Sequence, residues 1–256
     1  MSRTILFAGP SLAGLTDGLP DHISLRAPVQ QGDIYLAALE SPRAIAVVDG
    51  FFEGMPAVWH KEILWALTRS IPVLGAASMG ALRAAEMDVF GMVGVGAIYD
   101  GYRDGALEDD DEVALLHGPA EMGYPALSLA MVNVRATLAA AETAGVVDGD
   151  GAARLVARAK AQFYKTRTWA SILADESATL RDWVLKNEVD QKQEDAALLM
   201  KHLAAGAFED PQPDVHFEES ALWHEATKIW RQRASVARER HQWGDRVRAG
   251  ASLFDE

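Results

Sequence analysis

The run Val73-Leu74-Gly75-Ala76-Ala77-Ser78-Met79-Gly80-Ala81-Leu82-Arg83-Ala84-Ala85-Glu86 passes from apolar, strand-favouring residues through a turn of small residues into strong helix formers. A strand that feeds so directly into a helix is part of a β-α-β unit, which commits the chain to an α/β architecture with a mainly parallel sheet, Rossmann-like or flavodoxin-like. Other short apolar runs supply the remaining strands, near Thr4 to Ala8, Ile23 to Leu25, Ala44 to Val48 and Ile71 to Leu74. Between them Ile34, Tyr35 and Ala38 mark one helix, and Trp59, Ile63, Ala66 and Leu67 mark another, with Pro56 in its first turn.

After Gly91 the chain becomes glycine-rich, aromatic and then acidic, which predicts loops and short strands over the sheet. A long helical pattern starts near Leu127, and the remainder is mainly helical, so the expected division is an α/β core over residues 1–145 and a helical region over 146–256, packed on the core or extending from it. Gly206 to Ser220 carries two prolines and reads as a linker. Beyond it, Leu222, Trp223, Ala226, Ile229 and Trp230 form an apolar stripe that suits either packing within the chain or contact with a partner.

A formal net charge of −13 disfavours a nucleic-acid partner, because binding to phosphates draws on clustered Lys and Arg. No run of about 18 apolar residues is present, and Ser2-Arg3-Thr4 enters Ile5-Leu6-Phe7 directly; neither a membrane span nor a signal peptide is expected, and the expected compartment is the cytoplasm. The sequence contains no cysteine, which excludes disulfides, thiol nucleophiles and a persulfide on this chain.

In an open parallel sheet, ligands collect beyond the carboxyl ends of the strands. Those ends are Gly9-Pro10-Ser11, Ala27-Pro28, Asp49-Gly50 and Gly75 to Ser78. Ala76-Ala77-Ser78-Met79-Gly80 is a near form of the nucleophile elbow, in which small residues let the backbone crowd around a serine. Ser78 then has three readings: a helix N-cap, an anion-binding group, or a nucleophile with the Met79 amide stabilising an oxyanion. Gly9, Pro10, Ser11, Gly50, Met79 and Gly80 are the accompanying candidates for substrate or anion binding.

A serine nucleophile needs a base, ordinarily a histidine oriented by a carboxylate. His117 is the first candidate, closing the apolar run Val113 to Leu116 before Gly118-Pro119 where a strand is expected to end; His60, at a helix start, is the second. His22, His202, His216, His224 and His241 have no supporting context. Asp49 is the leading carboxylate, with Glu53 and Glu121 as alternatives and Glu86 expected to turn away towards Arg83. Asp109-Asp110-Asp111-Glu112 reads as a solvated face or helix cap rather than a cation site, so no metal and no cofactor are assigned.

Taken together, Ile5 to Leu12, Ala27-Pro28 with Gly32-Asp33, Val48 to Phe52, Trp59 to Leu67, Gly75 to Glu86 and Asp110 to Tyr124 resemble the TfuA-like family over roughly the first 145 residues. The resemblance implies an accessory role in forming thioamides on peptides or proteins, beside a YcaO-type thioamide synthetase. It also implies a sulfur donor, a thiocarboxylated ThiS-like sulfur-carrier protein. Two functions follow from it: hydrolysis of the carrier's thiocarboxylate to release sulfide, with Ser78 as nucleophile, or a non-catalytic adaptor that recruits or activates the partner enzyme. Either is compatible with an oligomer.

Overall fold

Five short strands, Thr4–Phe7 (β1), Ile23–Arg26 (β2), Ala44–Val47 (β3), Val73–Ala76 (β4) and Val93–Val95 (β5), pair in the order β2-β1-β3-β4-β5 with every pair parallel. The computed structural model describes residues 3–15, 19–206, 208–211, 213–214 and 216–248, with 236–248 as backbone alone, so the side chain of His241 lies outside the described part. The strand order is that of a doubly wound, flavodoxin-like sheet, and it reverses direction between β1 and β3.

The helices that accompany the sheet are Asp33–Ala38 (α1), His60–Leu67 (α2), Met79–Met87 (α3) and Ala97–Arg103 (α4). They are followed by Met131–Thr143 (α5), Gly149–Lys160 (α6), Trp169–Ile172 (α7), Ala178–Lys186 (α8), Gln191–Ala205 (α9) and Ala221–Arg248 (α10). No helix among the described residues is long and apolar enough to cross a membrane.

Alternation along the strands decides what covers each face. Ile5, Phe7, Ile45, Val47 and Val73 pack with α1, α2 and the start of α10, where Trp223 and Trp230 close around Tyr35 and Trp65. Leu6, Ala44, Ala46, Val48, Leu74 and Ala76 point the other way and meet Ala196, Leu199 and Leu203 of α9, far along the chain. Helices α5 to α8 build a separate cluster of their own around Leu138, Leu155, Ile172 and Val184. The stripe on α10 is thus divided: its two tryptophans are buried, while Leu222 and Ile229 are exposed.

Several local expectations need correction. Strand β4 starts at Val73 because Ile71 closes the turn after α2, its amide bonded to the Ala66 carbonyl. Pro56 precedes α2 by several residues and accepts the Gln31 amide, so it is a loop proline. The glycine-rich stretch after Gly91 contributes an edge strand and then a helix, α4, whose start is held by Asp195 of α9 through the Ala97 and Ile98 amides at 3.1 and 2.8 Å. Val113 to Leu116 is not a strand; it follows a single 3-10 turn and pairs only locally, through His117 and Ala126.

Helix α3 lies against the sheet at backbone contact. A Cβ on Gly80 would stand 1.9 Å from the Val47 carbonyl oxygen, and one on Gly75 would stand 2.0 Å from that of Gly80. Ala77, at φ 67°, turns the chain between them. Since neither backbone can withdraw, Gly80→Ala is expected to destabilise the protein by about 3 kcal/mol or more, seen as a lowered denaturant midpoint.

Glu62 provides a second check. It is fully buried on α2, and its carboxylate accepts the Trp59 and Tyr35 amides at 3.1 and 3.3 Å, tying α2 to α1. Burial outweighs those hydrogen bonds and pushes its pKa up to about 7, from an ordinary 4.5. The raised value means the folded state holds the proton more tightly than the unfolded one, so the associated stability is complete below pH ~4.5 and lost as pH rises through ~7. The loss amounts to about 3 kcal/mol, and Glu62→Gln is expected to flatten this slope in unfolding titrations at pH 5 and pH 8.

Candidate functional site

The carboxyl ends of β1, β3 and β4 converge where the strand order reverses, and a cavity of about 270 Å³ opens above them. Asp49 and Ser78 line it from the sheet, Phe51 and Glu53 from the loop after β3, and Leu115 and His117 from the segment that crosses above. Lys165 and Lys192 reach it from the helical part of the chain.

Asp49 organises the β1 side. It is 3% exposed; one carboxylate oxygen accepts the Gly9 and Ser11 amides at 2.8 and 3.0 Å, and the other accepts the Ser11 hydroxyl at 2.7 Å. The anion held by the Gly9-Pro10-Ser11 turn is therefore the chain's own carboxylate. Pro10 lines the cavity, and Gly50 packs under it, where a Cβ would meet Met79 and Val29 at 2.8 and 2.9 Å.

Ser78 occupies the N-cap position of α3, yet its hydroxyl makes no capping hydrogen bond. Only its backbone carbonyl serves the helix, accepting the Ala81 and Leu82 amides. It is buried at 3% exposure and lines the cavity. The Met79 side chain lies in the core, leaving its amide at the first helical position as the donor at this edge; the Gly80 amide donates to the Val48 carbonyl at 3.1 Å.

His117 lines the same cavity. Its Nδ1 lies 2.8 Å from the Gly118 carbonyl, which can only accept, so Nδ1 carries a proton and Nε2 faces away from that bond. The ring stands edge-on to Tyr124 at 5.5 Å. His60 is not brought to this place: its Nε2 pairs at 2.7 Å with Glu86, which also takes Arg83 at 2.6 Å, on the outer side of α2 and α3. Glu53 pairs with Lys165 near the mouth of the cavity, and Glu121 is exposed.

The acidic run is tied to the helical region. Asp109, Asp111 and Glu112 all pair with Lys160, Glu112 also with Arg135 at 2.9 Å, and Asp111 with the fully buried Arg167 at 2.9 Å. Arg167 further donates to the Ala159, Leu129 and Gln162 carbonyls, which fixes the base of the crossing segment against α6. Among the described residues no group of three His, Asp or Glu side chains converges as a metal site.

Lys192 is the site residue that sequence reasoning missed. It stands in the first turn of α9, is 3% exposed, and donates from Nζ to the Val113 carbonyl at 2.8 Å. Burial holds its amine below the ordinary lysine range, against the opposing pull of the Asp49 and Asp190 charges. Gln191-Lys192-Gln193 carries no motif; the one signal available was a cation in a first helical turn, where the helix dipole disfavours it.

Residues 49–168 match the family model described as TfuA-like protein. Over that stretch the chain is similar to the TfuA-like family. The matched region holds Asp49, Ser78, His117 and Lys165, whereas the Gly9-Pro10-Ser11 turn precedes it and Lys192 follows it. No curated protein matches the sequence. The TfuA-like family is associated with thioamidation, in general beside YcaO-type partners.

The Ser11 contacts define a test of the β1 side. Removing the hydroxyl leaves a buried carboxylate short of one partner, so Ser11→Ala is expected to cost about 1.5–3 kcal/mol of stability by chemical denaturation.

Proposed function

We propose that this chain serves thioamidation by hydrolysing the C-terminal thiocarboxylate of a ThiS-like sulfur-carrier protein, with Ser78 as nucleophile, so that sulfide is released for a YcaO-type thioamide synthetase. The observation that carries the reading is a buried serine at a strand-to-helix turn whose hydroxyl makes no capping bond and lines a cavity with two basic side chains. Small residues at Gly75, Ala76, Ala77 and Gly80 leave the backbone close to that hydroxyl, and the Met79 amide lies at the start of the helix, suited to a developing oxyanion.

The reaction balances without a thiol on this chain. The Ser78 oxygen attacks the thiocarboxylate carbon, the C–S bond breaks, and the serine proton leaves with sulfur as hydrosulfide. Water then cleaves the resulting ester, returning the serine and a carrier carboxylate. The carrier's C-terminal segment enters between the segment crossing at Leu115 and the Tyr164-Lys165 side.

One observation favours the adaptor alternative. His117 meets a backbone carbonyl through Nδ1, and Asp49 is occupied by Gly9 and Ser11, so the serine–histidine–carboxylate relay expected from sequence is not assembled. The two readings separate in an assay of carrier and purified protein alone. Hydrolysis predicts sulfide release by the parent and a loss of at least ~10³-fold in Ser78→Ala, which fits the turn without strain. A parent that releases no sulfide yet stimulates the partner enzyme supports the adaptor.

A further inference from the structure

We infer that the cavity between α1, α2 and the start of α10 is a second binding site, for a nucleoside phosphate whose phosphate group sits on Lys228 and Arg231 and whose ring lies against Tyr35, Trp65 and Trp223. The cavity encloses about 340 Å³ and shares no lining residue with the one above the strand ends, so the inference stands apart from the reading of Ser78. Ligand sites run from about 300 to 1,000 Å³, and a volume at the small end of that range admits a single nucleotide and no polymer.

The wall of the cavity is aromatic and already formed. Tyr35, Trp65 and Trp223, one from each of the three helices, are at most 7% exposed. They pack on one another, with ring centroids 4.7 Å apart for Tyr35 and Trp65, 5.5 Å for Tyr35 and Trp223, and 6.0 Å for Trp65 and Trp223. Rings fixed in this way offer apolar contact to a flat ligand without an ordering cost.

The rim carries positive charge that the chain leaves unanswered. Lys228 and Arg231 stand three residues apart on α10, both exposed and both lining the cavity. Like charges at that spacing repel, and among the described residues neither cation has a carboxylate partner. Elsewhere Arg83, Arg135, Lys160 and Arg233 each find one. Arg231 lies over the Tyr35 ring at 5.4 Å, and Arg69 over the Trp65 ring at 4.7 Å, which brings a further guanidinium to the same wall. A phosphate group accepts hydrogen bonds from an ammonium and a guanidinium together and removes their repulsion. The carboxylate of the cavity, Glu219, lies 3.7 Å from His224 and has acceptor capacity for a sugar hydroxyl or a ring amine.

Isothermal titration of the full chain with AMP, adenosine, ribose 5-phosphate and inorganic phosphate tests both halves of the site. Expected are saturable binding of AMP, binding of the other three at least ~10-fold weaker, and a loss of AMP affinity of at least ~10-fold in Lys228→Gln and in Arg231→Gln. Lys186→Gln, which removes an exposed lysine from α8, is expected to bind AMP as the parent does, and so separates a site from an effect of net charge. Thermal unfolding identifies a variant that does not fold, and Lys228→Gln, whose side chain has no ion pair or hydrogen bond to lose, then decides. No saturable binding of AMP by the parent, binding of any of the other three ligands as tight as that of AMP, unchanged AMP binding in Lys228→Gln, or an equal loss in Lys186→Gln overturns the site.

Discussion

The contact between α3 and the sheet is made by backbone alone, and the geometry of the cavity edge descends from it. With Gly75 and Gly80 lacking a Cβ, the Gly80 amide reaches the Val48 carbonyl and the helix begins directly above β3 and β4. Any side chain at either position would lift the helix and carry Ser78 with it. Ala77 absorbs the tight reversal at positive φ, so the small residues around the serine answer a steric demand of the fold at the same time as they leave its hydroxyl accessible to the cavity.

Charge is distributed around this edge with a consistent logic. Asp49 accepts hydrogen bonds from two amides and a hydroxyl, the acidic run is paired with Lys160, Arg135 and Arg167, and Glu53 with Lys165. Lys192 alone among the cavity's cations is held by a carbonyl instead of a carboxylate. In a chain of net charge −13, most carboxylates near the site are thereby committed to structure, and the reactive potential of the cavity is carried by a hydroxyl and basic nitrogens.

The parallel sheet was legible because strand and helix periods are local: Ile5, Ile45 and Val73 alternate as expected, and the turn at Ser78 carries its own steric signature. Ser78, Asp49 and His117 were found for the same reason, each ending a recognisable apolar run, although His117 sits on a loop whose apolar residues pack beneath α5 rather than in a strand. The partnership of Asp49 with Ser11 spans 38 residues and could not be read from either segment, and His60 was drawn to Glu86 by the packing of α2 beside α3. Lys192 was illegible because its environment is made entirely by distant chain: a carbonyl 79 residues away and a sheet edge further still.

The role of α9 in covering one face of the sheet has a consequence for synthesis. A chain emerges from the ribosome amino end first, and segments that pack together form as they become available. Strands β1, β3 and β4 emerge with Leu6, Ala46 and Leu74 bare on one side, and they stay so until Ala196, Leu199 and Leu203 follow more than a hundred residues later. Because the helix that shields that surface also brings Lys192, the nascent chain carries its serine turn through more than a hundred residues of translation before that amine is made. Shielding of the sheet and assembly of the cavity are thus one event in the life of the molecule, and a nascent chain gains both together.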